Sequence, residues 1–331
     1  MQYEEQRTKK TTSALWITEA YRAELKEGPE PVLNTGDILV RTQWSGISRG
    51  TERLVFEGRV PVSETGRMRA PMQEGRFPFP VKYGYSTVGI VEQGPPDLQG
   101  RRVFALHPHQ DLFAVPLGLT VPVPEDVPPK RAVLAANLET ALNAIWDGGC
   151  GPGDRIVVVG GGVVGLLTAH LASRIPGTEV TLVDVDPDRR ALVEHLGASF
   201  ATPEDAPSDA DIVFHASASA QGLGTALVSA GFEARVVEMS WYGSGAVNVT
   251  LGGAFHSQRL QLVSSQVGHL PPSRRARWTT RRRLAAALHL LYDQRLDVLV
   301  AEEVPFSALP EALHDILCGD GRGIPPVVAY S

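Results

Sequence analysis

The rhythm of hydrophobic and polar positions changes near residue 130. Before it, apolar residues come in short runs cut by Gly and Pro. Residues 38–44, 86–92 and 102–106 are predicted strands. Many short strands with frequent turns from Ala14 to about Val123 predict a compact barrel or sandwich. Residues 51–80, rich in Arg, Gly and Pro, read as a long surface loop, and the first ten residues as a flexible tail. A proline-punctuated stretch at 122–129 precedes a helix-like run over 131–146. Beyond a Gly-rich turn at 148–153, β-branched runs alternate with helical stretches. Strands are predicted at 156–159, 179–183, 211–215, 234–239 and 261–264, and helices over 163–174 and 220–229. That alternation predicts a doubly wound parallel sheet, hence an α/β chain. An Arg-rich helix, over 274–291, is followed by a mixed piece to Ser331.

One stretch of the second half carries chemistry. The apolar run 156–159 leads into Gly160, Gly162 and Gly165, the G-x-G-x-x-G spacing at a strand-to-helix turn. The first Gly permits the tight turn, the second lets backbone approach a pyrophosphate, and the third brings helix and strand close. The N–H groups that open the helix, at Val163 and Val164, face the phosphates, and the helix dipole favours their charge. The next strand ends on Asp184, roughly 20 residues past the glycines, where a carboxylate holds the ribose hydroxyls of NAD. Asp184 repels a 2′-phosphate, so NAD is favoured over NADP. Arg189 and Arg190 follow, as candidates for stacking on adenine or binding phosphate. His215 and Ser217, just past the 211–215 strand, are candidates for contact with the cofactor ribose or nicotinamide, because ligands bind beyond the carboxyl ends of parallel strands.

Composition narrows the partners. The 331 residues suffice for two domains with their own cores, and 43% hydrophobic and 21% charged residues describe an ordinary globular chain. A net charge of −6 gives no basis for nucleic acid or an acidic membrane as partner. No apolar run approaches the ~20 residues of a membrane span and no signal-type segment opens the chain, so the expectation is a cytoplasmic protein acting on a small molecule. Cys150 and Cys318 cannot build a disulfide framework or a four-cysteine zinc site.

The order of β-rich domain, nucleotide-binding domain and short C-terminal return resembles the medium-chain dehydrogenase/reductase family, which includes the zinc alcohol dehydrogenases. The resemblance covers nearly the whole chain. It rests on Gly36-Asp-Ile-Leu-Val40, Ser45-Gly-Ile-Ser-Arg-Gly-Thr-Glu52, Tyr83-Gly-Tyr-Ser-Thr-Val-Gly89, Val121-Pro-Val-Pro-Glu-Asp126 and the glycine turn with Asp184. It implies a GroES-like β-barrel catalytic domain, residues 1–136 with 269–331, and a Rossmann domain, 137–268, with the active site between them. Homo-oligomers are common in the family and one is expected here. The motif at 45–53 is most similar to the bacteriochlorophyllide 2-hydroxyethyl dehydrogenase branch, whose members oxidise a secondary alcohol to a ketone.

At the family's zinc ligands the chain departs from the pattern. Ser48 stands where a Cys is expected, Tyr85 and Ser86 where a His-Glu pair is expected, and Glu139 is the only donor near the third position. Hydroxyls and phenols do not replace thiolate and imidazole on Zn²⁺, so no metal site and no zinc are expected.

Hydrogen-bond donors must then polarise the reacting oxygen. Tyr85 is the first candidate, with Arg49 or Arg53 as cationic help for its phenol; packing alone is the alternative. Ser48 and Thr51 stand either as proton relays or as backbone caps. Glu52 is expected to hold Arg53 or a backbone amide. His107 is the alternative acid/base, in Leu106-His-Pro-His-Gln110 beside His109. His256 lies in a stretch that passes near the nicotinamide in the family. The run Arg274, Arg275, Arg277, Arg281, Arg282 and Arg283 is a solvated face or an anion site.

The reading that results is a zinc-independent, NAD(P)-dependent oxidoreductase interconverting a secondary alcohol and a ketone on a polar small molecule. Two alternatives stay open: an NADPH-dependent quinone or enoyl C=C reductase, and a dinucleotide-binding redox sensor without turnover.

Overall fold

Ile156 and Val158 pack into one hydrophobic cluster and Val157 and Val159 into another, so the Arg155–Val159 strand is buried on both faces. That explains its unbroken β-branched run, since each such side chain contributes about 1.5–3 kcal/mol on burial. The computed structural model, which describes residues 11–320 and 322–331, places this strand inside a six-stranded sheet. The tail expected for the first ten residues lies outside the described residues.

The strands run Ser199–Ala201, Glu179–Val183, Arg155–Val159, Ala210–His215, Ala230–Glu238 and Gln261–Ser264 across the sheet, all parallel. In chain order this is 3-2-1-4-5-6, the doubly wound arrangement, with its crevice where the winding reverses. Its register sets one rung at the carboxyl edge: Ala201, Val183, Val159, His215, Glu238 and Ser264. The helices Ala135–Gly148 and Val163–Ala172 cover one face, and Ala220–Ser229 covers the other.

In the first half, Asp37–Ser45 is central to a seven-stranded sheet and pairs with Thr87–Gln93, Leu112–Pro116 and Val327–Ala329. The C-terminal strand thus completes the N-terminal unit, with Val328 opposite Ser45. A second sheet is built on the Thr11–Glu19 and Arg22–Pro29 hairpin.

Two expectations are corrected. Residues 51–80 are a largely exposed loop only after Phe56: Arg49–Phe56 is a helix whose Val55 and Phe56 are buried with Val60 and Ala70, and Phe77 and Phe79 pack against them. The Arg and Gly residues around that apolar helix face disguised it. The Arg-rich helix starts later than residue 274, at Thr280–Leu290, because the Thr279 hydroxyl caps it by accepting from the Arg282 N–H, and a further helix, Leu309–Cys318, follows it. The Thr280–Leu290 helix straddles the junction of the two units, packing on Ala135–Gly148 and on the Thr120–Pro122 strand, and Glu303–Pro305 then joins the seven-stranded sheet. No helix among the described residues is long and apolar enough to cross a membrane.

Candidate active site

The glycine turn has the backbone that its spacing predicts. Gly160 sits at φ +112°, and a Cβ on Gly165 would run into the Gly160 carbonyl oxygen, so helix and strand meet this closely only without a side chain there. Gly162 is the N-cap of Val163–Ala172 and supplies no side-chain cap, which leaves the first-turn N–H groups, at Val163 and Val164, to a ligand anion. Asp184 closes the turn from the next strand. One carboxylate oxygen accepts from the Gly161 N–H and the other from the Asp186 N–H at 2.9 Å. A carboxylate offers about four lone-pair sites, so two remain for ribose hydroxyls. The residues fit a dinucleotide.

Arg189 is occupied differently from the expectation. It is buried and donates to the Gly323 carbonyl at 3.0 Å, which ties the nucleotide domain to the C-terminal segment. Arg190 lies over the Phe200 ring, 4.8 Å from its centroid.

His215 and Ser217 belong to a hydrogen-bonded chain at the carboxyl edge. His215 Nε2 is 2.7 Å from Ser217 Oγ, and His215 Nδ1 is 2.8 Å from the Glu238 carboxylate. Ser217 continues to Ser219 at 3.0 Å, and the Tyr242 hydroxyl donates to Glu238 at 3.0 Å. Bonding to His215 pulls the Glu238 carboxyl below its usual range against the opposing effect of burial. This chain abuts the glycine turn, because a Cβ on Gly160 would stand 2.7 Å from the Ser217 nitrogen. Glu238 and Tyr242 were not singled out in the sequence. The available signal was an acid ending an otherwise apolar strand.

Across the cleft, Tyr85 packs between the interdomain cluster and the cluster beneath the Arg49–Phe56 helix. Its phenol lies near enough to Ser48 and Thr51 to feel both side chains, so three candidates from two separate motifs converge. Burial pushes the phenol up to about 12, Ser48 and Thr51 pull it down, and the Glu52 charge adds to the rise. The cationic help expected from arginine is directed elsewhere: Arg49 donates to the Ile316 carbonyl at 2.9 Å, and Arg53 to Glu57 at 2.8 Å. Of the two uses expected for Glu52 the structure takes the backbone amide, that of Ser48, at 2.7 Å.

His107 is not part of this centre. It is buried, stacked on Phe113 with centroids 3.7 Å apart, and bonded through Nδ1 to the Pro108 carbonyl. Burial pulls it down to about 3, which leaves a neutral core histidine at physiological pH. His256 is exposed on the short Ala254–Ser257 helix.

The residues at the family's zinc positions do not fit that ion. Ser86 donates its hydroxyl to the Val133 carbonyl, and Glu139 accepts from Arg283 Nε at 3.0 Å, with both side chains buried. Ser48 and Tyr85 offer a hydroxyl and a phenol, and none of the three positions presents a thiolate or imidazole. Among the described residues no three His, Cys, Asp or Glu side chains come together as a metal site.

The arginine run divides. Arg283 is buried on Glu139, whereas Arg274, Arg275, Arg277, Arg281 and Arg282 are exposed, with Arg274 over Trp146 and Arg282 over Trp278. Trp146 lies beside Asp147 and Gly148, whose carbonyls accept from Arg235, near the amino ends of the strands. The exposed arginines therefore flank the edge opposite the glycine turn and do not line the cleft. A small cavity between the two units is lined by Ile47 and Ser86 on one side and Asn137 and Val163 on the other. The two units also meet where the Ser244 N–H donates to the Arg59 carbonyl at 3.0 Å.

Residues 141–240 match the family model "Alanine dehydrogenase/PNT, C-terminal domain". The chain is similar to L-threonine 3-dehydrogenase of Ruegeria pomeroyi, 25% identical over 195 residues, which are 59% of this chain and 51% of that protein. The match thus spans about half the length of this relative. Among solved structures, L-idonate 5-dehydrogenase from Escherichia coli aligns at a TM-score of 0.79 and 16% identity over 98% of this chain and 99% of that one. An alcohol dehydrogenase from Escherichia coli CFT073, complexed with NADH, aligns at 0.77 and 15% over 97% and 99%. The chain has the alcohol dehydrogenase fold. Its first unit is the GroES-like barrel of that fold and its second the Rossmann domain.

Proposed function

We propose that the chain is an NAD-dependent oxidoreductase that interconverts a secondary alcohol and a ketone on a polar small molecule without zinc. The observation that carries this reading is an uncapped glycine turn, edged by Asp184, whose Val163 packs against the same interdomain cluster as Tyr85, with Ser48 and Thr51 beside the phenol. The names of the similar proteins, threonine, idonate and alcohol dehydrogenases, support the reaction class. A bound nicotinamide supplies or takes up the hydride.

The chain's own residues do the rest. The first-turn N–H groups of Val163–Ala172 hold the phosphates and Asp184 the adenosine ribose, while the Ser217–His215–Glu238 chain supports the cofactor at the sheet edge. The Tyr85 phenol, with Ser48 and Thr51 beside it, keeps its proton and donates it to the reacting oxygen. A donor of this kind replaces the Lewis acid of the zinc enzymes, for which the residues here offer no ligand set. The small molecule and a homo-oligomeric assembly are part of the same proposal.

The test combines metal analysis of the purified protein with NADH absorbance across secondary alcohols and ketones. Turnover at substoichiometric metal, insensitive to chelator, is expected. Stoichiometric zinc whose removal abolishes activity overturns the metal-free part. NADH binding without turnover of any alcohol or ketone overturns the reaction.

A further inference from the structure

Behind Tyr85 lies a buried polar chain for which the proposed reaction has no role so far. The Glu52 carboxylate accepts from the Ser48 N–H through one oxygen and meets His109 Nε2 at 3.1 Å through the other. His109 Nδ1 is 2.7 Å from Ser45 Oγ, and Ser45 Oγ is 2.9 Å from the Tyr330 hydroxyl. Ser45, His109 and Glu52 are all at most 4% exposed. An imidazole that donates to Glu52 through Nε2 accepts from Ser45 at Nδ1, and Ser45 in turn accepts from Tyr330. Every link then points its donor toward the carboxylate, and hydrogen bonds aligned this way polarise one another. The chain takes up three separate parts of the sequence, the last of them Tyr330, just past the C-terminal strand that joins the barrel. Gly84 makes room for it: a Cβ there, at φ +122°, would stand 2.9 Å from the His109 ring.

Two consequences meet at Tyr85. The Glu52 clamp on the Ser48 amide fixes the start of the helix that presents both Ser48 and Thr51 to the phenol. Burial raises Tyr83, Tyr85 and Tyr330, and the same carboxylate adds to the rise in each, beside Asp111 at Tyr330. Tyr83 meets Tyr85 edge to face at 6.0 Å. The titratable groups facing the Tyr85 phenol are thus Glu52 from the Arg49–Phe56 helix and Tyr83 from its own connecting segment, with His109 and Tyr330 behind Glu52.

We propose that Glu52 and His109 are positioning residues of the Tyr85 centre, locking the Ser48–Thr51 turn under the phenol and holding a fixed charge behind it, so that the site is a donor to ketones more than an acceptor from alcohols. This rests on the reading of Tyr85 as the group on the reacting oxygen. In the reduction, the carbonyl carbon gains a hydride from reduced nicotinamide and the oxygen gains the Tyr85 proton. A new C–H and a new O–H bond form, and the phenolate is reprotonated from solvent past Ser48 and Thr51.

The deciding measurement needs no turnover. Phenolate absorbance is titrated in the protein, and the same titration of Tyr85→Phe is subtracted to isolate Tyr85. Glu52→Gln removes the charge and is expected to bring Tyr85 ionisation down by about one pH unit, a roughly tenfold change. Glu52→Asp keeps the charge but shortens the clamp. It should leave the titration in place while ketone reduction by NADH slows about tenfold in kcat, with less effect on KM. A Glu52→Gln titration superimposable on the wild type overturns the electrostatic half. Unchanged kcat in Glu52→Asp overturns the positioning half and decides it even if Glu52→Gln fails to fold. Failure of the parent reading looks different: Tyr85→Phe would turn over at the wild-type rate while the titrations still moved as expected.

Discussion

Arg283 and Glu139 face each other at 3.0 Å in a setting where both side chains are almost wholly buried. Arg283 also donates to the Asn143 side chain and the Val267 carbonyl, so its guanidinium joins the Ala135–Gly148 helix to the C-terminal segment. Burial raises the Glu139 carboxyl and Arg283 opposes that rise. Removing one partner strands a buried charge, and such losses cost about 3–5 kcal/mol. Arg283→Met should therefore lower unfolding stability by about that amount, read in urea. The double variant with Glu139→Leu should recover most of the loss, because two apolar side chains leave nothing unpaired. Additive losses would mean that the pair is not coupled.

Tyr85 gives a directional pH prediction. With its phenol up at about 12, the proton is present throughout the neutral range, so a step that needs the donor proceeds there without loss. Ketone reduction should stay level in its Tyr85-dependent part from pH 6 to about 10. Alcohol oxidation, which needs a proton acceptor, should climb with pH over the same range. Tyr85→Phe should cost reduction about 10²–10⁴-fold in kcat, the usual worth of a positioned acid. Equal rates in Tyr85→Phe and wild type would reduce Tyr85 to a packing residue.

The parts of the chain that were legible in its sequence are those set by local rules. The glycine spacing and the β-branched run at 156–159 are written in consecutive residues, and the doubly wound sheet followed from the strand–helix period. The partners that meet only through the fold stayed hidden. Glu52 and His109 are 57 positions apart, and Arg283 reaches Glu139 across 144. Nothing local marks such pairs, because charge pairing in the interior depends on which segments the barrel and sheet bring together. The helix at Arg49–Phe56 was missed for another reason. Only one short turn of apolar residues, Leu54 to Phe56, announces it amid Arg and Gly.

Two histidines make the fold sensitive to acid. Burial lowers His107 to about 3 and His170 to about 4, from an ordinary value near 6.5. A histidine held neutral in the native state contributes stability that is fully present above pH 6.5. It is lost as the pH falls toward the native value, because the unfolded chain takes up the proton first. For His107 the drop corresponds to at most about 5 kcal/mol. Urea stability should therefore decline between pH 6.5 and 4, and His107→Phe, which keeps a ring against Phe113, should flatten that decline. Activity near pH 7 should survive the same substitution. An inactive but well-folded His107→Phe would return His107 to the list of proton carriers.

Asp184 decides the choice of dinucleotide, and its bonding makes the outcome of a substitution specific. Each carboxylate oxygen already accepts one backbone N–H, from Gly161 and from Asp186, so the side chain is fixed before any ligand arrives. The remaining lone pairs can accept from ribose hydroxyls, whereas a 2′-phosphate would bring a second anion against the first. Arg189 does not offset that charge, since its guanidinium is donated to the Gly323 carbonyl and lies beside Asp186. Wild type should accordingly prefer NADH to NADPH in fluorescence titrations. Asp184→Ser removes the repulsion and one of the two anchors of the turn. The NADPH affinity should rise while NADH affinity falls by about tenfold, roughly the 1.5 kcal/mol of one hydrogen bond to a charged acceptor. The difference between the two cofactors should shrink most at low salt, where the repulsion is least screened. A substitution that left discrimination intact would place the Asp184 carboxylate away from the ribose, as a brace of the glycine turn and nothing more.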